Sequence, residues 1–269
     1  MRDLSIIFLL FIFFLINGCS EPTSSNDYNN QLVIYGFLVA GNTIDSIYVQ
    51  HVLPLEAKYS PEAAAILNAV VIVEGNGFRD TLHHDPTLPG RYYSTKSANV
   101  IQPKATYTLR VEAPNFPAAT ATTTVPDTFH ILNKPIFTET LRFGDRNKII
   151  SVAWTESKLH VDYIIGSRSL DSNAQTTREN RQNQDRAPNK TNFTFNLLDL
   201  TTTQVPWQFF NYYGTNEIFV SAIDKNYFDY VSQSVVGGTD IKNIKFNLNN
   251  AIGVFGSVAK DSYRVVIIK

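Results

Sequence analysis

The chain carries one cysteine, Cys19, and it stands directly after an apolar run. Residues 4–16 are apolar apart from Ser5, Arg2 gives a small positive head, and Gly18 sets a small residue before the cysteine. This is the layout of a secretory leader, predicted over residues 1–18. A helix over that run spans roughly 20 Å at 1.5 Å per residue, short of a ~30 Å hydrocarbon core, which disfavours an uncleaved span. Everything after Cys19 lacks a thiol, so no disulfide and no cysteine-ligated metal is open to the fold. Packing alone has to hold it. Eighteen Phe and thirteen Tyr supply the apolar area and lean towards strands.

Residues 19–30 contain no aliphatic side chain and are predicted to be a flexible tether, about 18 Å long on a random-coil estimate. From Gln31 the pattern turns to β. Leu32-Val33-Ile34-Tyr35-Gly36-Phe37-Leu38-Val39 has the length of a buried strand. Asn76-Gly77, between Ala69-Val70-Val71-Ile72-Val73 and Phe78-Arg79-Asp80-Thr81-Leu82, marks a tight hairpin. Thr106-Tyr107-Thr108-Leu109-Arg110-Val111-Glu112 alternates apolar and polar, and Pro126 closes this half. The one helix expected here covers residues 60–67, with Ser60 as cap and Pro61 in the first turn. Further strands are expected at 149–154, 161–167, 193–198, 217–223 and 263–268. Residues 171–192 are rich in Asn, Gln, Thr and charge, and are expected to form a mobile loop. Eleven or twelve strands with almost no helix predict an all-β chain of two sandwiches, 31–126 and 127–269.

Two resemblances sharpen this. A cysteine at the cut site is similar to the lipobox of bacterial lipoproteins, in which the thiol is acylated and holds the protein to a membrane. Ser20 after it, in place of a retention aspartate, leans towards the outer membrane, on either its periplasmic or its external face. Along the rest of the chain the likeness is carried by Leu32-Val33-Ile34-Tyr35-Gly36, Gly90-Arg91-Tyr92-Tyr93, Ala119-Thr120-Ala121-Thr122-Thr123-Thr124-Val125-Pro126 and Gly253-Val254-Phe255-Gly256-Ser257. With these segments it resembles the Bacteroidota-type lipoprotein family of unknown function whose members are commonly encoded beside TonB-dependent outer-membrane receptors. The resemblance implies a transthyretin- or carboxypeptidase-regulatory-like N-terminal sandwich and an immunoglobulin-like second one. It implies a receptor as partner and no known activity.

No catalytic motif stands out. A formal charge of −1 gives no electrostatic argument for nucleic acid. His83, His84 and Asp85 form the tightest group of possible metal ligands, but neighbours on a strand point to opposite faces, and a polar turn explains them more simply. Ser257 lacks the Gly-x-Ser-x-Gly elbow of a serine hydrolase, and no cofactor is implied. The best candidate for recognition is the aromatic stretch with Trp207, Phe209, Tyr212 and Tyr213, whose rings, if exposed, suit a glycan, a peptide or a protein partner. Core packing of Phe209 and Phe210 is the competing explanation. The chain is accordingly expected to be a non-catalytic, lipid-anchored accessory or binding protein, with a glycan- or peptide-degrading enzyme or an adhesin as alternatives.

Overall fold

The computed structural model describes residues 30–177, 191–193, 199–235 and 245–269. The expected leader, Cys19, nearly all of the tether, residues 178–190 of the expected loop and residues 194–198 of an expected strand lie outside them. The first half runs β1 (Leu32–Val39), β2 (Ile47–His51), α1 (Pro61–Ala64), β3 (Val70–Gly75), β4 (Phe78–Thr81), β5 (His83–His84), β6 (Arg91–Tyr93), β7 (Thr106–Glu112) and β8 (Ala119–Thr124). The second runs β9 (Glu139–Arg142), β10 (Ile150–Ala153), β11 (Asp162–Ser169), β12 (Thr191–Phe193), β13 (Thr202–Val205), β14 (Gly214–Ile223), α2 (Lys225–Val235) and β15 (Ala251–Ile268).

The N-terminal sandwich packs the sheet β4-β3-β7-β8 against β5-β6-β2-β1, with the first part of β15 beside β1. Alternation decides which side chains enter its core. Leu32, Ile34 and Leu38 of β1 meet Val71 and Val73 of β3 and Tyr107, Leu109 and Val111 of β7, all buried in one cluster. Asn76 and Gly77 both have positive φ, 46° and 82°, as a two-residue hairpin of the primed type needs. The helix is shorter than expected. Ser60 Oγ accepts from Ala63 N at 3.1 Å, but Ala65 is already extended and bridges to Gln50. Pairing with a sheet edge outweighs the helix propensity of the alanines here.

The C-terminal sandwich has β12-β11-β14-β15 with β9 added parallel to β15, and faces it with β10-β13. The Ile131↔Trp154 bridge lays the preceding segment along β10 before the chain crosses to β9. That order, with the first strand split between both sheets, is the immunoglobulin-type arrangement. Its core is aromatic and aliphatic: Val152, Trp154, Tyr163, Phe209, Phe210, Ile218 and Val265 are all buried.

The expected boundary at 126/127 separates the cores on one side only. β15 is 18 residues long, not the six expected at 263–268. From Ala251 to Val258 it pairs parallel with β1, and from Val258 to Ile267 antiparallel with β14. Leu248, Ala251 and Phe255 therefore belong to the N-terminal core. The physical reason is the open side of β1, a strand buried in a sheet interior that is completed only from the far end of the chain. One strand thus serves both sandwiches, and at ~3.3 Å per residue it runs for about 55 Å. α2 was not expected at all. It lies over the outer face of β1, with Tyr227 at 4.3 Å from Phe37 and Tyr230 at 5.9 Å from Tyr35, centroid to centroid.

Candidate functional site

Two regions concentrate polar or exposed chemistry, one at the end of the C-terminal sandwich farthest from residue 31 and one where the sandwiches join. At the far end, residues 170–175, Tyr213 and Gly214 line an open depression of about 530 Å³. Its wall is fixed by two backbone bonds and one carboxylate acceptor. Tyr213 N donates to Gln175 O at 2.8 Å, Thr177 N to Asn211 O at 2.9 Å, and Thr215 N to Asp171 Oδ2 at 2.7 Å. A Cβ on Gly214 would sit 2.1 Å from that carboxylate oxygen, and its φ is +92°, so glycine is required at this corner.

The aromatic stretch divides here. Phe209 and Tyr212 are buried, as is Phe210, so Phe209 and Tyr212 are not available as recognition surface. Phe209 and Phe210 fill the space between the sheets, where each removes a large apolar area from water, whereas Tyr212 is covered where it bridges to Thr176. Trp207 and Tyr213 remain half-exposed, both edge-on to Phe143 at 5.9 Å. Trp207 Nε1 donates to Asp145 O at 3.2 Å, and Lys269 Nζ lies 5.7 Å above the Tyr213 ring. Tyr213 thus lines the depression, and Trp207 is linked to it through the shared Phe143 ring. On the crossing between the two sheets, Ile136 and Phe137 are 92% and 84% exposed. Composition alone makes both residues core candidates, and nothing in the sequence signals that packing leaves them uncovered.

The histidine group does not converge. His83 and His84 stand on β5, paired with Tyr93 and Tyr92. His83 is exposed, whereas the His84 ring sits edge-on to Tyr92 at 5.4 Å with its Nε2 buried and unpartnered. Asp85 is occupied: it accepts from the Thr87 hydroxyl at 2.7 Å, the Thr87 amide at 2.8 Å and Arg91 Nη1 at 2.6 Å. The Thr87 bonds, followed by Arg91, pull its carboxyl down to about 2. Among the described residues no group of three or more His, Cys, Asp or Glu is placed to hold a metal. Other carboxylates are likewise engaged. Glu217 meets Arg168 at 2.7 Å, Lys260 at 3.0 Å and the Ser262 hydroxyl at 2.8 Å. Burial alone would raise its pKa, but these partners reverse the shift and lower it.

At the junction a buried polar knot ties three segments. Thr123 Oγ1 of β8 lies 2.7 Å from Asp224 Oδ2 and 2.7 Å from Ser257 Oγ of β15, and Ser257 Oγ donates to Thr124 O at 3.1 Å. Asp224 also caps α2, its Oδ1 accepting from Tyr227 N at 3.0 Å. Burial pushes the Asp224 carboxyl up, partly offset by the Thr123 hydroxyl and backbone amides. Ser257 is fully buried and its hydroxyl is taken up in the knot, which suits a joint and not a nucleophile. Asn226 and Asn247 reinforce it, both donating to Phe255 O, at 3.1 and 2.7 Å.

Fold and site together define an all-β, two-sandwich protein with a polar joint and an open, aromatic-edged far end. The chain belongs to the family described as a domain of unknown function, DUF4249, which matches residues 20–264. No curated protein matches it in sequence. Among solved structures it is similar to the FN1–FN3 domains of chicken CNTN1, at 15% identity over 89% of this chain and 67% of that one, with a TM-score of 0.26. That superposition is loose, and the immunoglobulin-type assignment rests on strand order.

Proposed function

We propose that this chain is a non-catalytic accessory protein of the outer membrane, anchored through an acylated Cys19. Its far sandwich end would meet a TonB-dependent transporter or a glycan or peptide bound for one. The observation that carries the reading is the course of β15. The chain enters at Gln31 beside Ala251, the start of this strand, and the depression with Trp207 and Tyr213 lies beyond its other end. An unbroken strand and a buried knot make the connection stiff, which suits a spacer that holds a contact surface away from its attachment point. Occupied carboxylates such as Asp85 and Glu217 support a binding role over hydrolysis. The transporter enters through the sequence resemblance, and Ile136 with Phe137, on the flank beside residues 261–265 of β15, is an exposed apolar pair that such a partner could cover.

Two experiments test this. Cys19→Ser is expected to move the chain from the detergent-extractable membrane fraction to the soluble one, whereas an unchanged distribution would remove the anchor. Co-purification at native expression is expected to recover a receptor-sized barrel with the natural chain. Ile136→Ser combined with Phe137→Ser should lose that barrel by roughly tenfold or more, the effect of removing an interface anchor worth about 2 kcal/mol. Recovery of no barrel with the natural chain counts against the partnership.

A further inference from the structure

We propose that the end of the N-terminal sandwich nearest Gln31 rests on the lipid bilayer through Leu55, Tyr59 and Val70. This builds on the reading of Cys19 as a lipid anchor, and adds which face of the folded protein the lipid touches. The three side chains are 84%, 64% and 44% exposed, more apolar surface than one end of a small sandwich needs to leave in water.

Strand register places them together with the point where the chain enters. Leu32 pairs with His51, and Val52 N donates to Gln31 O at 3.0 Å, so the segment carrying Leu55 and Tyr59 leaves β2 beside the start of β1. Ala65 bridges antiparallel to Gln50 and Ile66 N donates to Val49 O at 3.0 Å, so the chain runs back along β2 and Leu67 falls on the adjoining flank. Val70 opens β3 opposite Glu112, the last residue of β7. Asn250 Nδ2 donates to Ala118 O at 3.0 Å, joining the β7–β8 turn to the start of β15, where Ala251 lies beside Leu32. Leu55, Tyr59 and Val70 therefore ring the end at which the chain arrives from Cys19.

Reach and chemistry select lipid as the occupant. Even fully extended, the residues between Cys19 and Gln31 span at most about 40 Å, less than the ~55 Å of β15. The anchored end therefore stays within about 40 Å of the bilayer, close enough for its apolar side chains to meet it. Tyr is at home at the headgroup level and Leu and Val just below it. Charge does not select an acidic surface: Glu56, Lys58 and Glu62 flank the rim with mixed sign, and Arg110 is bound to Glu112 at 2.7 Å. The contact is apolar and should form on uncharged lipid.

The test uses the acylated full chain reconstituted in phosphatidylcholine vesicles. Leu55→Cys, Tyr59→Cys and Val70→Cys each receive an environment-sensitive fluorophore, and Phe137→Cys, 84% exposed on the C-terminal sandwich, is the control. Blue-shifted emission, more than half of it quenched by lipid-borne nitroxide, is expected at the three rim positions and not at the control. Vesicle-bound protein without quenching at the rim overturns the proposal and leaves the anchor standing. A blue shift without quenching, accompanied by a dimer in sedimentation, assigns the rim to a second copy and also overturns it. Protein that does not float with the vesicles removes the anchor itself, and this inference with it.

Discussion

Gly253→Ala is expected to cost roughly 4 kcal/mol or more of unfolding free energy, at the extreme of what one small substitution does. Gly253 has φ +114°, where an L side chain is strained, and it pairs with Ile34, the third of eight pairs in the β1–β15 ladder. A Cβ there would lie 2.1 Å from Ile34 O, 3.0 Å from Ile34 C and 3.2 Å from Ile34 N. These are backbone atoms of a buried strand and cannot turn away as a side-chain tip can. Relief requires β1 and β15 to part, which draws Ala251 and Phe255 out of the N-terminal core. Gly77→Ala is the matched control. Its φ is +82°, but no atom lies within 4 Å of the new Cβ, so only the backbone penalty of about 1–2 kcal/mol remains. Urea unfolding followed by circular dichroism and by the fluorescence of Trp154 and Trp207 compares the two. Because β15 serves both cores, the two probes should shift together in Gly253→Ala. Equal midpoints for the two variants would show that β1 and β15 are not closely paired.

How far the sequence showed this depends on how local each signal is. The Asn76-Gly77 hairpin and the alternation from Thr106 to Glu112 were legible because their partners are adjacent in the chain. The parallel pairing of Leu32 with Ala251 was not, since nothing in either strand names a partner more than two hundred residues away. α2 was hidden because Tyr227, Phe228 and Tyr230 look like strand aromatics until Asp224 is seen as their cap. In the candidate site, the core role of Phe209 was legible as one of two explanations of the aromatic stretch, and the structure selects it. The open depression could not be foreseen, because it depends on residues 170–175 folding back against Tyr213. Ile136 and Phe137 show the converse failure: composition marks a residue as apolar, and only packing shows it left uncovered.

Asp224→Ala and Asp224→Asn should part company. Alanine removes the cap of α2, worth about 1 kcal/mol, and leaves the Tyr227 amide and the Thr123 hydroxyl short of an acceptor in a buried place. A total loss of about 2–4 kcal/mol is expected. Asparagine keeps an oxygen for Tyr227 N and offers N–H groups to Thr123 Oγ1. The bonds then run one way from residue 224 through Thr123 and Ser257 to Thr124 O, as they do with a protonated carboxyl. The sign of the pH effect follows from the raised folded-state pKa of Asp224. The group's stabilising share is fully present below its unfolded value of 3.8 and is lost as pH rises through the folded value. At neutral pH the natural chain holds a desolvated charge that Asp224→Asn lacks, so the variant should be at least as stable there, and the gap should close as pH falls. Asp261 and Glu217, whose pKa values are lowered, lose stability on acidification in both proteins alike, and the difference between the two isolates Asp224. If Asp224→Asn at neutral pH is as unstable as Asp224→Ala, the ionised carboxylate is itself what holds the joint, and the knot stabilises the fold through charge.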